Sequence, residues 1–267
     1  MLKLEDTRYT VLFATGVSVV CALLVATAAV GLREQQEVNA QLYKQKNVLL
    51  AASLVKPGQA LSSAEVLALF EKRIVVRAID IKTGELVPET RFDAKGYDQR
   101  KARNDPAQSR AIAPNDAKVT RLPTYGTVYQ VRAADGGVDQ LVLPIEGMGM
   151  WGTVYGFLSI DRDGNTVRGL SFYEQKETPG LGGEIANPKW LALWVGRKAF
   201  DANWAPQLAI IKGPAGPPAT DPHHVDGLSG ATITSNGVTR VVRFWLSAEG
   251  YGPYLKTLRM ARSGAPT

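Results

Sequence analysis

Residues 11–32, VLFATGVSVVCALLVATAAVGL, carry no charged side chain. As a helix rising about 1.5 Å per residue the run is roughly 33 Å long, enough to cross a bilayer's hydrocarbon core. Arg8 and Arg33 bracket it, and Tyr9 stands at one interface. Ala26-Thr27-Ala28 resembles a signal-peptide cleavage site. However, the apolar stretch exceeds the about 7–15 residues of a signal core, and Glu5 and Asp6 precede it. A retained transmembrane helix after an N-terminal tail (1–10) is therefore expected, with cleavage and release as the alternative. Lys3 and Arg8 before the span balance Arg33, Lys44 and Lys46 after it, so charge leaves the orientation open.

The rest is globular in composition. Of 267 residues, 45% are apolar and 21% charged, which excludes both a disordered chain and a polytopic membrane protein. Lys+Arg total 31 against 25 Asp+Glu, but no basic run or aromatic-interleaved stripe points to nucleic acid. The single cysteine, Cys21, excludes an intrachain disulfide and any cysteine-based zinc or iron–sulfur site within the chain. The two histidines, His223 and His224, are adjacent in a Pro- and Asp-containing stretch that reads as exposed loop, a poor start for a metal site, and none is expected.

Residues 33–56 read as a helical extension of the span, ended by Lys56-Pro57-Gly58. Ser62-x-x-Glu65 has capping-box spacing and opens a helix to about Lys72. Ile74–Ile81 is β-rich, whereas residues 91–116 are polar and aperiodic and read as a partly mobile surface excursion. Two hairpins follow. Thr127–Arg132 pairs with Val138–Leu143 across Asp135-Gly136-Gly137, and Val154–Ile160 with Val167–Tyr173 across Asp163-Gly164-Asn165. Asn187-Pro188 caps a helix over 188–198 with Trp190, Leu191, Leu193 and Trp194 facing inward, and Leu208–Ile211 is a short buried strand. A last amphipathic helix starts near Ser235-Asn236, with Gly250 at its C′ position. The expected fold class is α+β: a transmembrane helix, then a domain over 57–267 with an antiparallel sheet and flanking helices.

The densest chemical signal is Asp226-Gly227-Leu228-Ser229-Gly230-Ala231-Thr232. Small residues before a helix start allow close approach to the backbone, and the first N–H groups of that helix favour a phosphate. Asp226 is placed to organise the loop or a metal. Alone, Ser-Gly-Ala-Thr suits a plain capped turn. The full Asp-x-x-Ser-Gly-Ala-Thr pattern arises by chance in about one in a thousand chains of this length. In Glu177-Thr178-Pro179-Gly180-Leu181-Gly182, Pro179 fixes one φ, and Gly180 and Gly182 permit a flat backbone that can lie on a ring system. By itself that segment is an ordinary loop, Glu177 a solvated acid, Trp151 a core residue and Lys212 a solvated lysine.

These segments together resemble a known family. The 226–232 stretch is similar to a flavinylation motif whose last threonine carries FMN through a phosphoester, and 177–182 is similar to that family's ETPGLG loop. Gly149-Met150-Trp151-Gly152 with Tyr155-Gly156, Asn187-Pro188-Lys189-Trp190, and a single span followed by Gln45-Lys46-Asn47-Val48-Leu49 extend the likeness to the C subunit of the Na⁺-translocating NADH:quinone oxidoreductases. The G subunit of Rnf complexes shares the threonine and the loop. Glu174-Gln175-Lys176 lacks the histidine of the Rnf lead-in, and the longer chain also fits the C subunit better.

The resemblance implies covalent FMN on Thr232, attached by a separate periplasmic FAD-dependent flavin transferase with Mg²⁺. It implies a cofactor site drawn from Asp226, Ser229, Gly230, Ala231, Thr232, Glu177, Thr178, Pro179, Gly180, Leu181, Gly182, Trp151 and Lys212. Single electrons would pass between the partner subunits B, D, E and F toward ubiquinone, with NADH oxidised elsewhere. No G-x-G-x-x-G dinucleotide loop is present here. It further implies a bacterial inner-membrane protein with its C-terminal domain in the periplasm, where free FMN is scarce and a tether keeps the cofactor. The rival reading of another class is a membrane-anchored binding or scaffold domain without cofactor.

Overall fold

The computed structural model describes residues 7–263. Residues 1–6 of the expected N-terminal tail and the last residues of the expected domain, 264–267, lie outside the described residues; from Thr7 the chain is already helical. It divides into two units, Met1–Lys44 and Gln45–Thr267.

The first unit is the body of α1, Thr7–Ala51, a continuous helix of 45 residues. Its apolar residues from Val11 to Leu32 are exposed, and it is long and apolar enough to cross a membrane. The second unit begins inside the segment expected as an extension. The last turns of α1 bury Asn47, Val48, Leu49 and Ala51, so the domain starts near Gln45 rather than at residue 57. An apolar Val48-Leu49-Leu50 run cannot stay in water at the end of a helix when a sheet face is available to it.

In the second unit α2 (Ser63–Arg73) leads into β1 (Ile74–Asp80). After α3 (Gln99–Asn104), β2 (Ser109–Ala111) and β3 (Arg121–Pro123) come four long strands. These are β4 (Tyr125–Arg132), β5 (Val138–Met148), β6 (Thr153–Asp161) and β7 (Val167–Glu174). A 3₁₀ turn, Gly182–Ala186, precedes α4 (Pro188–Ala192), β8 (Ala209–Ile210), β9 (His224–Val225), α5 (Thr232–Leu246) and α6 (Gly252–Ser263). The main sheet is antiparallel with strand order β1-β4-β5-β6-β7, as the α+β reading expects.

Both faces of the sheet are covered. Val142 and Phe157 point to the layer of α2 and the end of α1, while Leu141, Leu143 and Leu158 point to the layer that includes α5 and α6. A strand buried on both sides carries an apolar run rather than a clean alternation, which is why β6 is buried along nearly its whole length. A buried polar relay fixes the first layer. Gln140 Nε2 donates to Ala52 O at 2.9 Å, Ser159 Oγ to Gln140 Oε1 at 2.6 Å, and Ser171 Oγ to Asn47 Oδ1 at 2.8 Å. Every donor so engaged is satisfied, the condition for burying it cheaply.

Several local expectations need correction. The 91–116 segment is structured, carrying α3 and β2. Gln99 is buried, its Oε1 accepting from Thr127 N–H at 2.7 Å, and Tyr97 OH donates to Tyr125 O at 2.8 Å. The Arg100 guanidinium lies 3.7 Å from the Tyr155 ring centroid and pairs with Glu174, and Arg103 pairs with Glu146. Arg100 holds Glu174 below the usual carboxylate range, whereas burial pushes Glu146 above it despite Arg103. The polarity of this segment therefore reflects charge pairing with the sheet rather than solvation.

The helix expected over 188–198 stops at Ala192, because residues 196–198 turn back to bond the start of β7. Gly196 N–H donates to Val167 O at 2.9 Å and Val167 N–H to Arg197 O at 2.8 Å. The helix expected near Ser235 begins at Thr232 and ends at Leu246, capped by Ser247, so Gly250 is not its C′ residue and a further helix, α6, follows. His223 and His224 are half-buried, not in an exposed loop. His224 belongs to β9 and pairs with Asp221 at 2.7 Å, and His223 Nδ1 bonds Lys198 O at 2.8 Å.

Candidate functional site

Three segments meet at one end of the sheet: the turn between β5 and β6, the loop after β7, and the start of α5. Closeness here depends on glycine. A Cβ on Gly237, in the second turn of α5, would stand 2.7 Å from Met148 O, so only glycine lets the helix lie on the end of β5. Trp245 Nε1, further along the helix, donates to Glu146 O at 2.7 Å and fixes its axis against the same strand.

α5 starts without a side-chain cap. Its N-cap residue is Ala231, and the first intrahelical bond runs from Ser235 N–H to Ala231 O at 3.0 Å. The N–H groups of Thr232, Ile233 and Thr234 therefore have no acceptor within the helix. Thr232 is exposed at this end. Before it, Ser229 and Gly230 are exposed, and Gly230 turns the chain at φ +71° with its Cα packed toward Leu181. Asp226 organises the loop, as one of its two expected roles required. Its Oδ1 accepts from Ala215 N–H at 2.9 Å and its carbonyl accepts from Trp190 Nε1 at 2.9 Å. Among the described residues no group of three His, Cys, Asp or Glu is placed to hold a metal.

The 177–182 loop closes on itself, with Thr178 O accepting from Leu181 N–H at 3.1 Å and from Gly183 N–H at 2.9 Å. Thr178, Pro179, Gly180 and Leu181 face solvent, and Gly182 is buried. Glu177 is not a solvated acid. It is buried, its Oε1 accepting from the N–H groups of Met150 and Trp151 at 3.0 Å each, and its Oε2 accepting from the Thr234 hydroxyl. Trp151 does not fill core. It stands 62% exposed at the tip of the β5–β6 turn, with Met150 beside it, and Leu181 and Ile233 are likewise exposed. Lys212 is exposed, two residues beyond the end of β8.

Thus Thr232, Gly230, Ala231, Leu181 and Trp151 belong to segments brought together here, Glu177 lies beneath them, and Asp226 braces the loop from behind. Thr234 is a further functional residue that the motif does not reveal. Once a helix begins at Thr232, residues two apart point to nearly opposite sides, so Thr232 outward forces Thr234 inward. A helix start at Ser235 hides that signal. Chemically, unpartnered N–H groups around an exposed hydroxyl suit a phosphate, and the apolar side chains beside them suit a planar ring.

The FMN-binding domain family matches residues 149–247, which include all three segments. The chain is 46% identical over 257 residues to the C subunit of the Na(+)-translocating NADH-quinone reductase of Vibrio anguillarum, covering 96% of each chain. It is 45% identical over 262 residues to that of Pseudomonas aeruginosa, covering 97% of this chain and 98% of that one. The crystal structure of NqrC from Shewanella oneidensis superposes with a TM-score of 0.73 at 32% identity, covering 82% of this chain and 99% of that one. The corresponding reductase subunit from Parabacteroides distasonis gives 0.65 at 28%, covering 84% and 96%. With its long apolar helix as membrane anchor and its FMN-binding domain, the chain belongs to the NqrC family, the C subunits of the Na⁺-translocating NADH-quinone reductases.

Proposed function

We propose that this protein holds FMN covalently, through a phosphoester to the Thr232 hydroxyl, and relays single electrons between neighbouring subunits toward quinone. The observation that carries the reading is Thr232 itself. It is exposed at an uncapped helix start, it closes the Asp226–Thr232 motif, and Trp151 and Leu181 stand exposed on the adjoining segments. An alanine at N-cap forgoes about 1 kcal/mol of helix stabilisation that Ser, Asp or Asn would give. That sacrifice is reasonable where an incoming phosphate is to take the N–H groups.

When bound, FMN supplies the redox chemistry. Thr232 supplies the bond: its oxygen replaces AMP on the FMN phosphorus of FAD, AMP leaves, and the hydroxyl proton is released. A separate flavin transferase with Mg²⁺ serves this step. Asp226 holds the loop in shape, the first turn of α5 seats the phosphate, and Trp151, Leu181 and the exposed backbone of Thr178–Leu181 offer the ring a flat surface. Ser229, Gly230 and Ala231 leave room for the transferase to reach Thr232. Lys212 contributes charge near the phosphate.

α1 anchors the chain in the bacterial inner membrane with the domain on the periplasmic side. There, electrons pass among subunits B, D, E and F through this domain to ubiquinone, while NADH is oxidised on another subunit.

Intact-mass analysis of protein made alongside its flavin transferase tests the attachment. The wild type gains one FMN less one water, and Thr232→Ala gains nothing. A wild-type chain of unmodified mass sinks the reading and leaves an anchored domain without covalent cofactor.

A further inference from the structure

Glu177 is a buried carboxylate with no ion-pair partner among the described residues. Burying an unpaired charge is costly unless hydrogen bonds replace water. Here they come from three places. Two are consecutive backbone N–H groups, Met150 and Trp151, in the β5–β6 turn, and the third is the hydroxyl of Thr234, the third residue of α5. Glu177 itself opens the loop after β7. The positive end of the α5 dipole faces the same carboxylate.

The surroundings are shaped to this group. A Cβ on Gly182 would lie 2.5 Å from Thr234 Oγ1 and 2.8 Å from Glu177 Oε2, and one on Gly149 would lie 2.6 Å from Glu177 Oε1. Contacts below 3 Å of that kind are not tolerated, so both positions exclude a side chain in order to admit the carboxylate. Both of its oxygens are engaged inward, which removes Glu177 from the surface a ring can touch.

We propose that Glu177 is a positioning residue rather than a flavin ligand. One carboxylate ties the Trp151 turn, the Thr178–Leu181 loop and the first turn of α5 into a single preformed seat, and Thr234 is its partner on the helix. This rests on the reading of Thr232 as the attachment point. The brace, however, exists before any flavin arrives and can be measured without it. A turn carrying an exposed Trp151 has no reason to protect its amide protons except the bonds to Glu177.

The experiment uses the full chain in two states. In flavin-free protein, hydrogen exchange is followed at the Met150 and Trp151 amides. In protein incubated with FAD, Mg²⁺ and the transferase, the rate of covalent loading is followed by intact mass. In Glu177→Ala both amides exchange at least about tenfold faster and loading slows by a similar factor, since bonds to a charged acceptor are being removed. Glu177→Gln recovers most of the protection and loading, because its amide oxygen still accepts from both N–H groups and its NH₂ still donates to Thr234. The near-isosteric Thr234→Val keeps the amides protected but slows loading, and it carries the test if Glu177→Ala does not fold. Ser62→Ala, which weakens the distant α2 cap, leaves both readouts at wild-type values.

Unprotected amides in the wild type overturn the proposal. So does wild-type loading in a folded Glu177→Ala or in Thr234→Val, or an equal loss of loading in Ser62→Ala. A wild type that keeps protected amides but never gains flavin overturns the attachment reading and leaves the brace standing.

Discussion

The helix starts of this domain fall into two kinds. At α2, Ser62 Oγ accepts from Glu65 N–H and Glu65 Oε2 accepts from Ser62 N–H at 2.8 Å, a complete capping box. Asp98 caps α3 through the N–H groups of Arg100 and Lys101, and Asn187 caps α4 through Lys189 N–H with Pro188 in its first turn. α5 is the longest of the four and lies against β5, yet it begins at Ala231 with no side-chain cap. Local propensity alone would cap every one of them. Capping closes a helix start to everything else, and leaving the cap off keeps its donors available. The capped starts serve the fold, and the uncapped one serves whatever is brought to it.

The largest expected effect comes from removing the hydroxyl at the open start. Thr232→Ala abolishes covalent flavin, read by mass or by in-gel fluorescence under ultraviolet light, while the flavin-free melting temperature stays within about 1 °C of wild type because Thr232 is exposed.

The next works on a capped element. Arg103 lies in the last turn of α3 and is the cation for Glu146. Arg103→Ala strands a buried carboxylate and costs about 3 kcal/mol at neutral pH in urea unfolding. Glu146 titrates above its usual 4.5 in the folded state, principally through burial. Between the unfolded and folded values the native state holds the extra proton, so its contribution to stability falls as pH rises through that window. Without Arg103 the window extends upward. The deficit of the variant therefore shrinks as pH is lowered toward 4.5, and Glu146→Gln removes the difference.

Smaller, and of opposite sign in its two readouts, is Ala231→Asp. A carboxylate at N-cap stabilises the flavin-free domain by about 1 kcal/mol and slows loading by tenfold or more, since it occupies the N–H groups and repels a phosphate. A stabilised variant that loads normally would break the contrast between the two kinds of helix start. The smallest effect is Ser62→Ala, which costs about 1 kcal/mol in thermal or urea unfolding and leaves loading untouched.

Much of this was legible in the chain, element by element. The capping box at Ser62, the Asn187-Pro188 start and both hairpin turns are short-range signals, and each falls where local chemistry places it. Asp163, for example, bonds the N–H groups of Asn165 and Thr166 at 2.7 Å each, so its turn needs no distant partner. The 91–116 segment was illegible for the opposite reason. Arg100, Arg103 and Gln99 look like surface residues until Glu174, Glu146 and Thr127 are brought beside them. The end of α4 was illegible likewise, because a strand contact at Val167 overrides the helical pattern that follows Trp190.

The amino-acid sequence by itself determined the long apolar helix, the antiparallel hairpins and the threonine at the end of the Asp226–Thr232 motif. Those depend on hydropathy, turn chemistry and residue order within a few positions. Only the tertiary structure decided that Glu177 is buried, that Thr234 is its partner 57 residues away, and that Trp151 is exposed rather than core. A carboxylate's environment is set by which donors the fold brings to it, and no spacing along the chain encodes that.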